Sequence, residues 1–388
     1  MTNNKQSSKW SELRAYLSYE RQQNLFVPLL AIILSLIVGS LIILGQGKNP
    51  LQVYMNLLQG SGILPKSTYA AYKNIFSDFS SFLNAWTPML FASLAVAVAM
   101  KAGLFNIGVA GQMLTSAFVA TIVIGYSSLP AVIAKPAVVI IGIITGMLLG
   151  ALIGYFKYRF NINEVVSTIM VNYIAQFVIS FFINTYYVNP VSRQSILINN
   201  QARLTLMQMK IAGIKVDIPL GIILALVAAV ALRFILKRTV FGYELAAVGL
   251  SRPAAAYAGI NVGSTIVSAM ALSGALAGLA GVTYYLGYFA SIQPRTLVST
   301  GFDCIAVSLL AESNPLAIIA FSFLITILSK GSTYMNSASG LESEISAVIT
   351  GIILLFSAGS VYIHYCLDKW RKNRKDKCKV NNNGTNHN

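Results

Sequence analysis

Hydrophobic positions in this chain are gathered into long runs of about twenty residues, the length a helix needs to cross a bilayer core of about 30 Å. Nine such runs are legible, at roughly 25–46, 80–100, 104–126, 136–156, 165–187, 217–236, 264–289, 315–335 and 345–366. From Pro253 to Pro294 there is no charged residue, yet the first part of that stretch reads as a short loop helix rather than as membrane. The pattern predicts an all-α, polytopic membrane bundle.

Charge decides the number of spans. The segment before the first run carries Lys5, Lys9, Arg14 and Arg21, and the tail reads Lys369-Trp-Arg-Lys-Asn-Arg-Lys-Asp-Lys-Cys-Lys. Basic flanks stay in the cytoplasm, so both termini are expected there and the span count is expected to be even. The tenth span is then 297–311, short and carrying Asp303. A broken or imperfect helix is tolerated where neighbouring protein covers it. The expected division is a cytoplasmic segment 1–24, a transmembrane domain 25–366 and a basic cytoplasmic tail 367–388. External loops fall at 47–79, 127–135, 188–216, 290–296 and 336–344. The loop 188–216 holds Arg193, Arg203, Lys210 and Lys215 and runs against the charge rule; the two termini outvote it. The first run is too long for a leader's apolar core, so it is expected to remain as a span.

Composition agrees. Of 388 residues, 56% are hydrophobic and 10% charged, against roughly 25% charged in soluble domains; mean hydropathy is +0.67. The formal charge of +16 does not indicate nucleic-acid binding, because the basic residues lie between apolar runs rather than on one face interleaved with aromatics. Cys304, Cys366 and Cys378 have no CxxC spacing and only two histidines for company, which supports neither a disulfide framework nor a metal site.

Two local patterns go beyond hydropathy. Gly142, Gly146, Gly150 and Gly154 recur every four residues, and Gly274 and Gly278 repeat the device with Ala277 and Gly281 beside them; such ridges let helices in a membrane approach closely. The cytoplasmic stretch 242–260 reads as two short helices. The first runs from about Tyr243 to Val248 and ends at Gly249 as a left-handed C′ residue. The second has Ser251 as its N-cap and Pro253 in its first turn, and ends at Gly259. A simple chain reversal needs less, so this stretch is expected to dock a partner and pass its motion into the flanking spans.

At these residues the chain resembles the permease subunits of bacterial ABC importers for nucleosides, relatives of the ribose-type sugar permeases. The matching motifs are Phe105-Asn-Ile-Gly-Val-Ala-Gly-Gln-Met113, Asn163-Glu-Val-Val-Ser-Thr-Ile-Met-Val-Asn-Tyr173, Gly242-Tyr-Glu-Leu-Ala-Ala-Val-Gly249, Tyr257-Ala-Gly-Ile260, Ser273-Gly-Ala-Leu-Ala-Gly278 and Gly301-Phe-Asp-Cys-Ile-Ala-Val307. They follow one another in order across roughly 80–366. The resemblance implies a ten-span permease of the bacterial plasma membrane that couples to an ATPase through Gly242, Tyr243, Glu244, Leu245, Gly249, Ala255, Tyr257 and Gly259. It implies a second permease subunit, an ABC ATP-binding subunit that holds the ATP, and an external solute-binding protein. The chain departs from the family at Ala110, where an acidic residue is common, and at Ala246 and Ala256, where basic residues are common.

The sequence holds no GxxxxGK[ST] phosphate loop, metal-ligand cluster or nucleophile–His pair, so no catalysis and no cofactor are expected in this chain. Polar residues within apolar runs are the candidates for a solute path. Asn106 and Gln112 flank Gly108 and Gly111 in an interrupted segment. Asn172 and Gln176 lie four apart on one helical face and read chiefly as interhelical hydrogen-bonding groups. Asp303 reads either as a helix cap or as a path residue. Asn106, Gln112, Asn172 and Asp303 are carried forward as the expected path.

Overall fold

The computed structural model describes residues 28, 30–69, 73–211, 214–342 and 344–358. The basic segment 1–24, the tail 367–388 and the end of the last expected span lie outside them. The chain divides into two compact units, 48–347 and a unit formed by the two chain ends. In the terminal unit, helix α1 (Leu30–Gly45) turns the Ser35 hydroxyl back onto the Ala31 carbonyl at 2.7 Å. That bond satisfies the only polar side chain of its turn within an apolar helix.

The larger unit is built around α3 (Ile75–Lys101), opened by Asn74, whose side chain accepts from the Ser77 N–H. Phe82, Leu90, Phe91 and Leu94 on α3 are wholly buried. A helix apolar on all sides belongs either in the centre of a bundle or in lipid, and α3 takes the centre. Helices α5 (Ala131–Phe160) and α6 (Glu164–Phe182) take the other role. They expose Ile140, Ile144, Leu148, Phe177 and Phe181, large apolar side chains that water would reject and acyl chains accept. The second long buried helix is α10 (Val262–Thr283).

The glycine ridges meet each other. A Cβ on Gly146 would lie 2.9 Å from Gly278 Cα, one on Gly150 3.0 Å from Gly274 Cα, and one on Gly154 2.9 Å from Val267 Cα. Thus α5 and α10 touch backbone to backbone. Apolar burial does not drive helices together in lipid, where packing contact does, and this seam supplies it. Gly281, on an adjacent face of α10, packs against Met113, on α4 (Val109–Ala120).

Several elements differ from the sequence expectation. The expected loop 47–79 contains α2 (Pro50–Gly60), with Asn49 as N-cap and Pro50 at the first position. It packs on α12 (Pro315–Ser339) through Gly331, whose Cβ would meet Leu57 Cα at 2.9 Å. The fold is also not purely helical. Strands β1 (Thr205–Ile211) and β2 (Ile214–Pro219) form an antiparallel hairpin with Leu206 opposite Ile218 and Ile211 opposite Ile214. The hairpin is anchored to α3, where Asn84 Oδ1 accepts from the Thr205 hydroxyl at 2.8 Å and the Ser80 hydroxyl donates to the Asp217 carbonyl. The expected span 104–126 begins its helix only at Val109 and finishes as a π-turn, Thr121–Gly125.

Helix α7 (Gly221–Arg238) leads into α8 (Val240–Leu250) and α9 (Arg252–Tyr257). Helix α11 (Thr300–Leu310) occupies the expected short span, and α13 (Glu344–Ala358) ends the described chain. Among the described residues five helices are long and apolar enough to cross a membrane, or six if α1 and α2 are counted as one span.

Candidate functional site

Residues 239–260 form a two-faced element. Thr239 opens α8 by accepting from the Gly242 N–H at 3.2 Å, and Ser251 opens α9 by accepting from the Ala254 N–H at 3.4 Å. The inner face, Leu245, Val248 and Ala255, is buried with Ala99, Ala102, Leu104, Ile266 and Ala269. Gly242 lies against α7, where a Cβ would come 2.6 Å from Leu236 Cα. The outer face presents Tyr243, Leu250 and Tyr257, the last 95% exposed, with Ala246 and Ala256 exposed and Glu244 half-buried.

The first helix is longer than the sequence implied, and Gly249 is not its left-handed terminator. Gly249 lies inside α8 with helical backbone, and its role is close approach. A Cβ there would fall 3.0 Å from Gly103 N and 3.2 Å from the Ala102 carbonyl carbon, and closer still to the Lys101 carbonyl oxygen. The turn that closes α3 is therefore seated directly on α8. Gly103 turns there at φ +65°, a conformation glycine adopts without strain. Gly259, at φ +81°, does end the second helix in the left-handed region.

A second cluster surrounds the unwound start of α4. Asn106 and Gln112 are fully buried. Asn106 Nδ2 donates to Gln112 Oε1 at 3.1 Å and to Ser273 Oγ at 2.9 Å, while Asn106 Oδ1 accepts from the Gly108 N–H at 3.0 Å. From α6, Asn172 accepts from the Gly111 N–H at 2.7 Å and donates to the Ile107 carbonyl at 3.0 Å. These side chains replace the helical bonds that residues 105–111 forgo, as a membrane interior requires of irregular backbone. Gln112 Nε2 and, one turn on, Ser116 Oγ are buried without a hydrogen-bond partner among the described residues. Gln176 donates to the Arg295 carbonyl at 2.7 Å, and Glu164 pairs with Lys157 at 2.8 Å.

Asn106, Gln112 and Asn172 therefore come together, whereas Asp303 stands apart. Gly301 packs on Ala110, its Cβ position 2.6 Å from Ala110 Cα, so α11 and α4 touch at their first turns. Residues two apart on a helix do not share a face, and Asp303 turns away from that contact to accept a hydrogen bond from Ser299. Ala110 is buried and is not on the exposed face that carries Ala246 and Ala256.

The opposite end of the bundle shows what sequence reading missed. Helices α4, α6 and α10 each finish in a π-turn, Thr121–Gly125, Ile183–Tyr187 and Tyr284–Phe289. Single π-turns are rare and collect at functional sites. The segment 195–204 runs across all three ends and satisfies their carbonyls: Asn199 N–H to Gly125, Ile196 N–H to Tyr187, and Ile198 and Leu204 N–H to Ala290 and Leu286, at 2.8–3.1 Å. Arg203 Nη2 adds a bond to the Gly287 carbonyl at 3.0 Å, and burial lowers the pKa of its guanidinium. These bonds tie the basic loop to the ends of the three helices. Lys330, a cation within an apolar run, was visible in the sequence as an anomaly of the kind that marks solute pathways.

A family model described as "Branched-chain amino acid transport system / permease component" matches residues 79–358. The chain is similar to the guanosine ABC transporter permease protein of Bacillus subtilis (strain 168), at 35% identity over 355 residues, 91% of this chain and 98% of that one. It is similar to a nucleoside ABC transporter permease protein of Lactococcus lactis subsp. cremoris (strain MG1363), at 31% over 362 residues, 90% and 94% of the two chains. A glucose ABC transporter permease protein of Haloferax volcanii is 24% identical over 336 residues, covering 85% and 86%.

Proposed function

The chain belongs to the family of permease components of branched-chain amino acid type transport systems, and from that premise we propose that it is the membrane-spanning subunit of an ATP-driven importer that carries nucleosides. It is a transport component rather than an enzyme. The observation that carries the nucleoside reading is likeness, above 30% identity and over nine-tenths of the chain, to permeases named for guanosine and for nucleosides.

In this reading ten helices cross the bacterial plasma membrane: α1, α3, α4, α5, α6, α7, α10, α11, α12 and α13. The remaining helix α2 braces α12, and α8 with α9 forms the cytoplasmic coupling element. Both termini are cytoplasmic. The working complex contains a second permease subunit, ATP-binding subunits that hold the nucleotide, and an external solute-binding protein. The ATPase contacts Tyr243, Glu244 and Tyr257. Its movement reaches the bundle through the buried side of the element, where Gly242, Leu245, Gly249 and Ala255 grip α7, α10 and the turn closing α3. Because that turn is backbone against backbone, displacement passes to α3 with little slack. Alternating access follows as α3 and α10 carry the path lining with them. Asn106, Gln112 and Asn172 hold the interrupted start of α4 as one unit, and Asp303 stands at the path. Interrupted helices are where transporters set polar groups against solute.

The competing solute is a simple sugar, favoured by the likeness to a glucose permease. Uptake by cells with and without this chain, against a panel of labelled nucleosides and pentoses, separates the two. The proposal expects chain-dependent uptake of nucleosides only; chain-dependent uptake of pentoses alone would overturn it.

A further inference from the structure

A cavity of about 190 Å³ opens among α3, the π-turn that ends α10, the start of α11 and α12, lined by Met89, Tyr284, Tyr288, Ser299, Thr300 and Lys330. It lies away from the coupling element. Met89 precedes Lys101, whose carbonyl meets Gly249, by twelve residues, which is about 18 Å along a helix.

The walls differ in chemistry. On one side the π-turn gathers three rings. Tyr284 and Phe289 have centroids 5.0 Å apart, and Tyr288 and Phe289 4.6 Å. In a regular α-helix Phe289, five residues on, would stand well round the circumference from Tyr284, and the wider π-turn brings the two to one side. On another side stand the Ser299 and Thr300 hydroxyls, with Ser299 held by Asp303. Beside the rings, Lys330 donates from Nζ to the Tyr288 hydroxyl at 2.6 Å and lies 4.8 Å from that ring's centroid. Among the described residues no carboxylate lies within ion-pair distance of Lys330. A lysine within an apolar helix is rare and marks a functional position, and its ammonium has three protons to donate, one of which the tyrosine takes.

Such a space fits a solute with a flat face for the rings, an edge of acceptors for the ammonium and hydroxyls for the serine and threonine. A nucleoside has all three, whereas a pentose has no flat face and offers the ammonium only hydroxyl and ring oxygens. We propose that this cavity holds the solute in transit and recognises it by the base: Tyr284 and Tyr288 against the ring face, Lys330 on the acceptor edge, and Ser299 and Thr300 on the sugar. The inference rests on the nucleoside reading above and adds where and by which groups the solute is read.

The test uses the whole transporter, reconstituted with its second permease, ATPase and solute-binding subunits, with Cys366 and Cys378 replaced by serine. Uptake of labelled guanosine by the unmodified site is measured first. Absence of nucleoside uptake would overturn both the nucleoside reading and this inference. Given uptake, Lys330→Met and Tyr288→Ala are expected to reduce guanosine transport at least tenfold at unchanged membrane abundance, and Lys330→Arg to recover part of it. A cysteine at Ser329, also on the cavity wall, is expected to react with a water-soluble thiol reagent several-fold more slowly in guanosine but not in ribose. Lys330→Met should abolish that protection while leaving the labelling itself. Normal guanosine transport in both variants, or equal protection by ribose, would overturn the site assignment and leave the nucleoside reading standing.

Discussion

Replacing Gly249 separates two physical accounts of the coupling element. On helix propensity alone, Gly249→Ala would favour α8 by about 0.8–1.0 kcal/mol. Against that, the new Cβ would meet the 101–103 backbone at 3.0 Å and less. Those are main-chain atoms that cannot rotate away, so the turn itself must move. Overpacking of this kind costs about 1–3 kcal/mol. The balance for alanine is roughly 0–2 kcal/mol against the seated arrangement, and 1.4 kcal/mol is a tenfold change in its population. Valine adds two methyl groups to the same contact and falls at the upper end or beyond. Asparagine discriminates between the accounts. At a left-handed C′ position asparagine is a tolerated substitute for glycine; at a backbone contact inside a helix it is as disruptive as valine. The assay is labelled-nucleoside uptake beside membrane abundance and ATPase rate in the reconstituted transporter. Expected is graded loss of uptake, Ala less than Asn and Val, with abundance retained and ATP hydrolysis no longer matched by transport. Normal uptake in both Gly249→Asn and Gly249→Val would refute the claim that this contact transmits motion.

Three further outcomes are expected. Gly146→Leu drives a side chain into the Gly274–Gly278 backbone and should lower the thermal midpoint of the detergent-solubilised protein by several degrees, whereas Gly351→Leu, with nothing within 4 Å of its Cβ position, should not. Asp303→Asn keeps a group able to bond Ser299 while removing the charge, so transport is expected to fall or change specificity at unchanged abundance; unaltered transport would leave Asp303 as a cap. Cysteines introduced within 5–20 or 370–385 should resist membrane-impermeant reagents in intact cells, and labelling from outside would contradict the ten-span arrangement.

Much of the helical layout was legible because long apolar runs and small-residue ridges are properties of sequence alone. The Gly142–Gly154 ridge predicted a seam, and α10 supplies its other half. Ser251, Pro253 and Gly259 predicted α9 because capping and left-handed turns depend on neighbours in the chain. What escaped depends on distant residues. Gly249 carries the same letter whether it ends a helix or admits a neighbouring turn, and only the 101–103 backbone decides between them. Asn106 and Asn172 were legible as polar groups within apolar runs, but their partners, Gln112, Ser273 and the main chain at Ile107, Gly108 and Gly111, are brought close only by folding. Strands β1 and β2 escaped because the basic loop was judged by charge, although Lys210-Ile-Ala-Gly-Ile-Lys215 has the alternation and glycine turn of a hairpin. The Asn49-Pro50 pair was a readable start for α2. The ring cluster Tyr284–Phe289 escaped because nothing in its composition announces a π-turn.

The central claim is tested most directly by reconstituting the chain in proteoliposomes with its second permease subunit, ATPase partner and solute-binding protein, and measuring accumulation of labelled guanosine. The account predicts accumulation against a gradient that requires hydrolysable ATP, requires the binding protein on the side opposite the ATPase, and is outcompeted by other nucleosides but not by ribose. Guanosine accumulation driven by an ion gradient without the ATPase, or ATP-driven accumulation of ribose with none of guanosine, would contradict it.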